Sequence, residues 1–406
     1  MYLKLKKLID KSQPLKHKEN STMKKQFLLI CAGCCVTASV FSQSLFTYGS
    51  YEVSKDEFLA AYSKNQAAGE NKEQALKEYL QLYAAFKQKV AAAKELKLDT
   101  ASQLKYDIMN FRNRLEGDFV PDMKEIFVRT GYKKNTAVMD EMLYLYADSA
   151  AYSTSKHAWP VEKEIIFTVG NTAIKGSDWL AFAKNYKLNK NAYKGESNSD
   201  LLEKFTHNTV LNYYRSHLEE YNTDFKYQLQ EFKEGNLLFE VMGKKVWDRS
   251  ANDETALKQF YEANKEKFAW GESAEVILIN AKSYAYADYA LENMKKGMDW
   301  KQIAEQSEGM IQGDSARYEL TQLPIKQGTA ITEGAFMEIV KHTMDNGASF
   351  IRVIKVYPAK MYRTFDEARS MVINKYQEQL EENWMKELLA KYPVKINSTV
   401  FQSLLK

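Results

Sequence analysis

Two stretches 121 residues apart are written in the same order, and this self-similarity constrains the fold more than any other feature of the chain. Gly49-Ser50-Tyr51-Glu52-Val53, followed by Glu57-Phe58-Leu59-Ala60, returns as Gly170-Asn171-Thr172-Ala173-Ile174, followed by Asp178-Trp179-Leu180-Ala181. Each copy reads as a short extended piece turned by Gly and then a helix start. In the first copy Ser54 and Glu57 are spaced as a capping box, in which the Ser side chain serves a free amide, worth ~1 kcal/mol.

Long amphipathic helices follow each copy. The first is predicted over 73–97, with Leu76, Leu80, Tyr83, Val90 and Leu96 at helical spacing. Thr100 with Gln103 starts a second helix running to about Gly117. After the second copy, helices are predicted over 200–221 and 224–247, then a short one over 253–268 carrying Leu257, Phe260 and Tyr261.

The period changes at Glu275. Val276-Ile277-Leu278-Ile279 is a continuous apolar run of strand length, and Phe350 to Val356 is a second strand ended by Pro358. Helices 284–296 and 299–307 lie between them, then a loop-rich stretch with Gly309, Gly313, Gly328 and Gly334, and a helix over 336–344. Two strands with intervening helices make a small α+β module. Thr364 and Glu367 then open a last helix over 365–391, whose stripe of Phe365, Ala368, Val372, Leu380, Trp384 and Leu388 needs a partner surface.

The first forty residues read as an address. Met23-Lys24-Lys25 precedes the uncharged run Gln26–Val40, and Val40-Phe41-Ser42 is an acceptable cleavage site before Gln43. That run is too short to span a bilayer, and no other segment is apolar enough to do so. The start is read as Met1 or Met23. All three cysteines, Cys31, Cys34 and Cys35, fall inside this segment, with lipid attachment at Cys34 the minor alternative to small apolar filler. The body after residue 42 is therefore free of cysteine, which excludes disulfides, thiolate metal sites and cysteine nucleophiles. Residues 1–42 hold eight Lys against one Asp and one Glu, so of the formal +4 the body keeps about −2. That balance removes compositional support for nucleic-acid binding.

The order of parts resembles the SurA/parvulin-type (PpiC-like) periplasmic foldases. The resemblance is carried by Gly49–Ala60 and its copy Gly170–Ala181, and by Leu237-Leu238-Phe239-Glu240 through Trp247. It continues in Leu257–Phe268, in the module 275–358 and in Thr364–Asn397. It implies a mostly α, α+β architecture, with a helical chaperone core completed by the C-terminal helix and one small parvulin-like module. The expected division is a leader and signal peptide 1–42, a helical region 43–165 and a second helical region 166–270. A degenerate parvulin-like module 271–360 and a C-terminal segment 361–406 that packs back on the core complete it. Parvulins carry a His on the first strand and another on the last, and the matching places fall at about Val276 and Arg352, neither of which is His.

Prolyl isomerisation faces a barrier of about 18–20 kcal/mol because rotation breaks amide resonance. A catalyst needs an apolar pocket and polar groups that favour the twisted amide. His342 is the module's one His and is not assigned a catalytic role, while Phe336 and Met337 read as pocket or core. His157, His207 and His217 are too scattered for a metal site. No G-x-S-x-G, H-E-x-x-H or P-loop string is present, so no cofactor or metal is expected. Tyr213, Tyr214, Phe232, Phe239, Trp247 and Phe336 are the candidate peptide-binding residues, since aromatic rings give broad apolar contact with little selectivity. Three functions fit. The first is a periplasmic chaperone holding unfolded or nascent outer-membrane or secreted proteins, with little or no isomerase activity. The others are an active isomerase with a divergent pocket and an envelope scaffold docking one stable partner. The sequence specifies no oligomeric state.

Overall fold

The computed structural model describes residues 43–65, 71–152, 159–326 and 328–405. The signal-like segment 23–42, all three cysteines and His157 lie outside the described residues. The chain opens with β1 (Ser44–Tyr48), β2 (Tyr51–Ser54), α1 (Lys55–Ser63), α2 (Lys72–Glu95), α3 (Ser102–Glu116) and α4 (Met123–Arg129). It continues with β3 (Lys133–Lys134), α5 (Asp140–Tyr152), β4 (Ile165–Val169), β5 (Thr172–Lys175), α6 (Gly176–Leu188), α7 (Asn198–Ser216), α8 (Leu218–Tyr221) and α9 (Thr223–Met242). Next come α10 (Asp248–Asn252), α11 (Glu254–Ala263), β6 (Ser273–Ala281), α12 (Tyr284–Lys295), α13 (Trp300–Gln306), β7 (Ile311–Glu319), β8 (Val340–Lys341) and β9 (Ala348–Tyr357). The chain ends with α14 (Phe365–Lys391), β10 (Val394–Ile396) and α15 (Ser398–Ser403). It is thus mostly helical with small antiparallel sheets, the α+β class expected. Among the described residues, no helix is long and apolar enough to cross a membrane.

The chain divides into two compact units, one of residues up to Met242 together with those from Met385 onward, the other Gly243–Trp384. In the first unit the repeat is a structural duplication. Hairpin β1–β2 with α1 and hairpin β4–β5 with α6 keep the 121-residue offset at every strand boundary, even at the register slip between Ser44 and Phe46 and between Ile165 and Phe167. Each hairpin gains a third strand. It is β10 beside β1, pairing Phe46 with Ile396, and β3 beside β4, pairing Lys134 with Phe167. The repeat visible in the sequence spans only the second strand of each hairpin. Phe46-Thr47 and Phe167-Thr168 carry the same offset and were the signal for the first.

Both repeat glycines turn their hairpins with positive φ, 62° at Gly49 and 52° at Gly170, a region closed to most side chains. A tyrosine ring lies over each. A Cβ at Gly49 would come within 3.1 Å of Tyr392 Cδ1, and one at Gly170 would fall on the Tyr213 hydroxyl. Gly170→Ala is therefore expected to destabilise by about 1–3 kcal/mol. Gly195→Ala, at φ +88° with nothing within 4 Å, suffers only the backbone penalty. Urea melts of the two variants check this, and equal losses would show that the ring contact at Gly170 carries nothing.

The capping pair of the first copy is only half formed. Ser54 Oγ accepts the Glu57 amide at 3.2 Å, but the Glu57 carboxylate turns inward to Lys87 Nζ at 2.7 Å. Lys87 also donates to both Glu234 oxygens at 2.8 Å, and Gln230 and Tyr83 donate to Glu57. This buried cluster ties α1, α2 and α9 together. Burial, reinforced by Glu57 and Glu234, pushes the Tyr83 hydroxyl far above its ordinary value, so it stays protonated as a donor. Around the second copy the core is Trp179, Phe205, Phe167, Leu201, Tyr214 and Phe225 with their neighbours, and Trp179 Nε1 donates to Leu143 O at 3.0 Å.

In the second unit a four-stranded antiparallel sheet runs in the order β7-β6-β9-β8. One face carries α12 and α13 over Ile279, Phe350 and Ile311, while the other is covered by Leu323, Met337 and neighbouring loop residues over Val276, Ile351 and Val353. Two expectations fail here. The stretch after Gly309 is not all loop, because Ile311–Glu319 pairs with β6 along its whole length. Its polar residues read as loop because only Ile311 of this strand is fully buried. The helix expected over 336–344 is absent. Phe336 bridges to Arg352 and Val340–Lys341 pairs with β9, because strand partners at β9 take these backbone groups. The expected helix over 365–391 forms with both halves of its Thr364–Glu367 capping box.

Candidate functional sites

The parvulin-like positions sit on β6 and β9, whose pairing fixes which side chains share a face. Ile277 is directly across from Arg352, and Val276 from Val353, with a bulge between Glu275 and Val276. Because side chains alternate along a strand, Val276 and Arg352 point to opposite faces. Val276 belongs to the loop-side core, while Ile277 packs with the helix-side one. The residue facing Arg352 is thus Ile277, and the pair supplies no imidazole.

Phe336 is half-buried beside Arg352, whose guanidinium carbon lies 5.3 Å from the ring centroid. Met337 points the other way and is buried in the loop-side core. His342, at the end of β8, places Nε2 3.2 Å from Ser349 Oγ and Nδ1 3.2 Å from Asp345 Oδ1. The line of Ser, His and Asp invites a nucleophilic reading, but Ser349 is only 1% exposed and no substrate reaches it. The three side chains close the β8–β9 turn, where the Gly347 amide donates to Asp345 at 2.8 Å.

In the first unit the candidate aromatics separate. Tyr214 is fully buried in the core. Tyr213 is half-buried over Gly170 and stacks on His217 with ring centroids 4.1 Å apart. Phe232 stacks on Phe111 of α3 at 4.0 Å, and both line a cleft of about 190 Å³ with Asp107, Asn110, Arg114 and Asn236. Phe239, seven residues on along the same α9 face, is 57% exposed. Tyr106 of α3, four residues before Asn110, is also 57% exposed, and no motif in the sequence marks it. Trp247, in the second unit, is half-buried. Of the six candidates, then, Phe232 and Phe239 share a surface, and an open aromatic cleft with a polar rim can accept apolar side chains along an extended chain. Among the described residues no group of His, Cys, Asp and Glu could hold a metal ion.

Residues 253–370 match the family model of the PPIC-type PPIase domain. This stretch is the PPIC-type PPIase domain of the chain, about 29% of its length. No curated protein matches the chain. Among solved structures it is similar to the foldase PrsA of Lactococcus lactis, at 14% identity and a TM-score of 0.23, over 58% of this chain and 96% of that one. It is also similar to PrsA of Streptococcus pneumoniae, at 14% identity and a TM-score of 0.22, over 59% and 97%. A further structure comes from work on PEB4 and Cj1289, described as SurA-like chaperones of Campylobacter jejuni, at 17% identity and a TM-score of 0.18, over 55% and 90%. In this parvulin domain Ile277, Arg352 and Phe336 occupy the ground between β6, β9 and the segment before β8.

Proposed function

We propose that the chain is an exported, periplasmic chaperone that holds unfolded or nascent outer-membrane and secreted proteins, with little or no prolyl isomerase activity. The observation that carries the reading is the cleft between α3 and α9, lined by Phe111 and Phe232, with the exposed Phe239 seven residues on along the same α9 face. Weak, reversible contact of this kind suits holding and hand-off, and it needs no cofactor. The working parts in this reading are the helical region 43–165, its second copy 166–270, the degenerate module 271–360 and the C-terminal segment 361–406. Export rests on the signal-like residues 23–42.

The chemistry of the strand pair supports the low-activity part of this reading. With Ile277 facing Arg352, the domain offers a permanent cation where parvulins offer imidazole. The second reading, an isomerase with a divergent pocket, is favoured by the half-buried ring of Phe336 beside a polar group.

The test is light scattering of an unfolded outer-membrane β-barrel protein diluted into buffer with increasing amounts of the full chain. Suppression at near-stoichiometric amounts is expected. Replacing both Phe232 and Phe239 by Ala should raise the half-suppressing concentration about tenfold, since truncated anchor rings commonly cost 1–2 kcal/mol. No suppression at large excess would remove the reading, and a single stoichiometric partner would then point to a scaffold. Exchange measurements on a proline peptide decide the rest, with acceleration of cis/trans exchange supporting the divergent pocket.

A further inference from the structure

Arg352 is a cation without an anion. Its Nε is buried and has no hydrogen-bond partner, and it makes no ion pair with any described residue. The guanidinium lies against the face of Phe336. A guanidinium in this state has lost part of its hydration without gaining an acceptor, which costs free energy that an incoming acceptor would recover.

The surroundings say which acceptor fits. On the same sheet face, β6, β7 and β9 place two rows side by side, Ser315–Ile277–Arg352 and Arg317–Glu275–Lys355. Three cations thus stand against one carboxylate. That carboxylate, Glu275, accepts a hydrogen bond from the Tyr357 hydroxyl at 3.2 Å. Arg317 is held between the Tyr357 and Trp270 rings, 4.0 and 4.5 Å from their centroids, with its Nε on Ser273. Arg352 therefore remains the group able to present its planar fork to a ligand, with Phe336 and Ile277 as an apolar flank.

We propose that this face of the parvulin domain is a receptor for a peptide carboxylate. The guanidinium of Arg352 takes the two oxygens side by side, and a neighbouring apolar side chain of the peptide rests on Phe336 and Ile277. A carboxylate matches the donor geometry of Arg better than a neutral carbonyl, because two parallel charge-assisted bonds form at once. The position that would carry a catalytic imidazole is in this reading a recognition element for acidic peptides. The proposal is independent of client holding in the cleft between α3 and α9, and its test does not use that cleft.

The carboxylate could belong to a Glu or Asp side chain or to a chain terminus, and the test separates them. The probes are acetyl-Ala-Ala-Glu-Ala-Phe-Ala-amide, the same peptide with Gln for Glu, and the Gln peptide with a free terminal carboxylate. Each is titrated into the full chain while the Arg352 Nε–H resonance is followed, assigned by its loss in Arg352→Lys. At least one carboxylate peptide is expected to shift that resonance saturably and to bind at least about tenfold more tightly than the amidated Gln peptide. Added salt should weaken the binding. Arg352→Gln should bring the affinity down to that of the Gln peptide, while Lys355→Gln changes it less. Arg352→Lys, which keeps the charge but not the fork, should lose several-fold. Phe336→Leu, which leaves Arg352 in place, should also weaken binding and serves if Arg352→Gln fails to fold. Equal affinity for all three probes, no saturable shift at millimolar peptide, or unchanged binding by folded Arg352→Gln would each overturn the proposal.

Discussion

Lys87→Met is expected to cost the first unit about 3–5 kcal/mol, the range seen when one partner of a buried ion pair is removed. Lys87 is 2% exposed and lies between Glu57 at 2.7 Å and Glu234 at 2.8 Å, on three different helices. Without its ammonium, two nearly buried carboxylates keep only the Gln230 amide, the Tyr83 hydroxyl and Lys94 at 4.0 Å from Glu234. For a unit of this size the loss corresponds to a fall in Tm of about 10 °C. Adding Glu57→Gln and Glu234→Gln to Lys87→Met should recover most of it, because an uncharged cluster leaves no lone charge to desolvate. Circular dichroism melts of the single and triple variants are the measurement. A single variant melting within about 2 °C of the parent would mean that water already reaches the cluster.

Deleting residues 385–406 is expected to abolish cooperative folding of the first hairpin while leaving the sheet β7-β6-β9-β8 intact. Strand β10 supplies the outer neighbour of β1, and Gln88 donates to Tyr392 O at 2.7 Å inside the core. Val400, Phe401 and Leu404 are buried, each worth about 1.5–3 kcal/mol. Their sum approaches the 5–15 kcal/mol that holds a whole domain folded. Hydrogen exchange resolves this strand by strand. Amides of Ser44–Tyr48 should lose protection, those of Ile165–Val169 should lose less because β3 still pairs with β4, and those of Ser273–Ala281 should keep theirs. Unchanged protection at Ser44–Tyr48 would show that the C-terminal strand is dispensable.

Long periodic elements were the legible part of the sequence. The helix read over 73–97 is Lys72–Glu95, and the one read over 365–391 is Phe365–Lys391, because each has an apolar stripe and a capping side chain just before it, Asn71 and Thr364. Short pieces whose partners lie elsewhere were not legible. Ile311–Glu319 looks like loop until β6 is beside it, and Phe336–Met344 looks like a helix turn until β9 takes its backbone groups. The site divides in the same way. Missing imidazoles were visible from residue identities alone, whereas the facing of Ile277 with Arg352 depended on a one-residue bulge at Glu275. Such a slip moves every side chain beyond it to the other face.

By itself the sequence determined the duplicated strand-and-helix unit, the long helices, the α+β module and the absence of cysteine from the body. These follow from local spacing and residue identity, which are written in the chain. Tertiary structure alone decided that a strand from the C-terminus completes the first hairpin, that Tyr213 covers Gly170, that Lys87 is buried between two carboxylates, and that Arg352 lacks a partner. Each of these depends on which groups from distant parts of the chain exclude water together, and no local pattern encodes that.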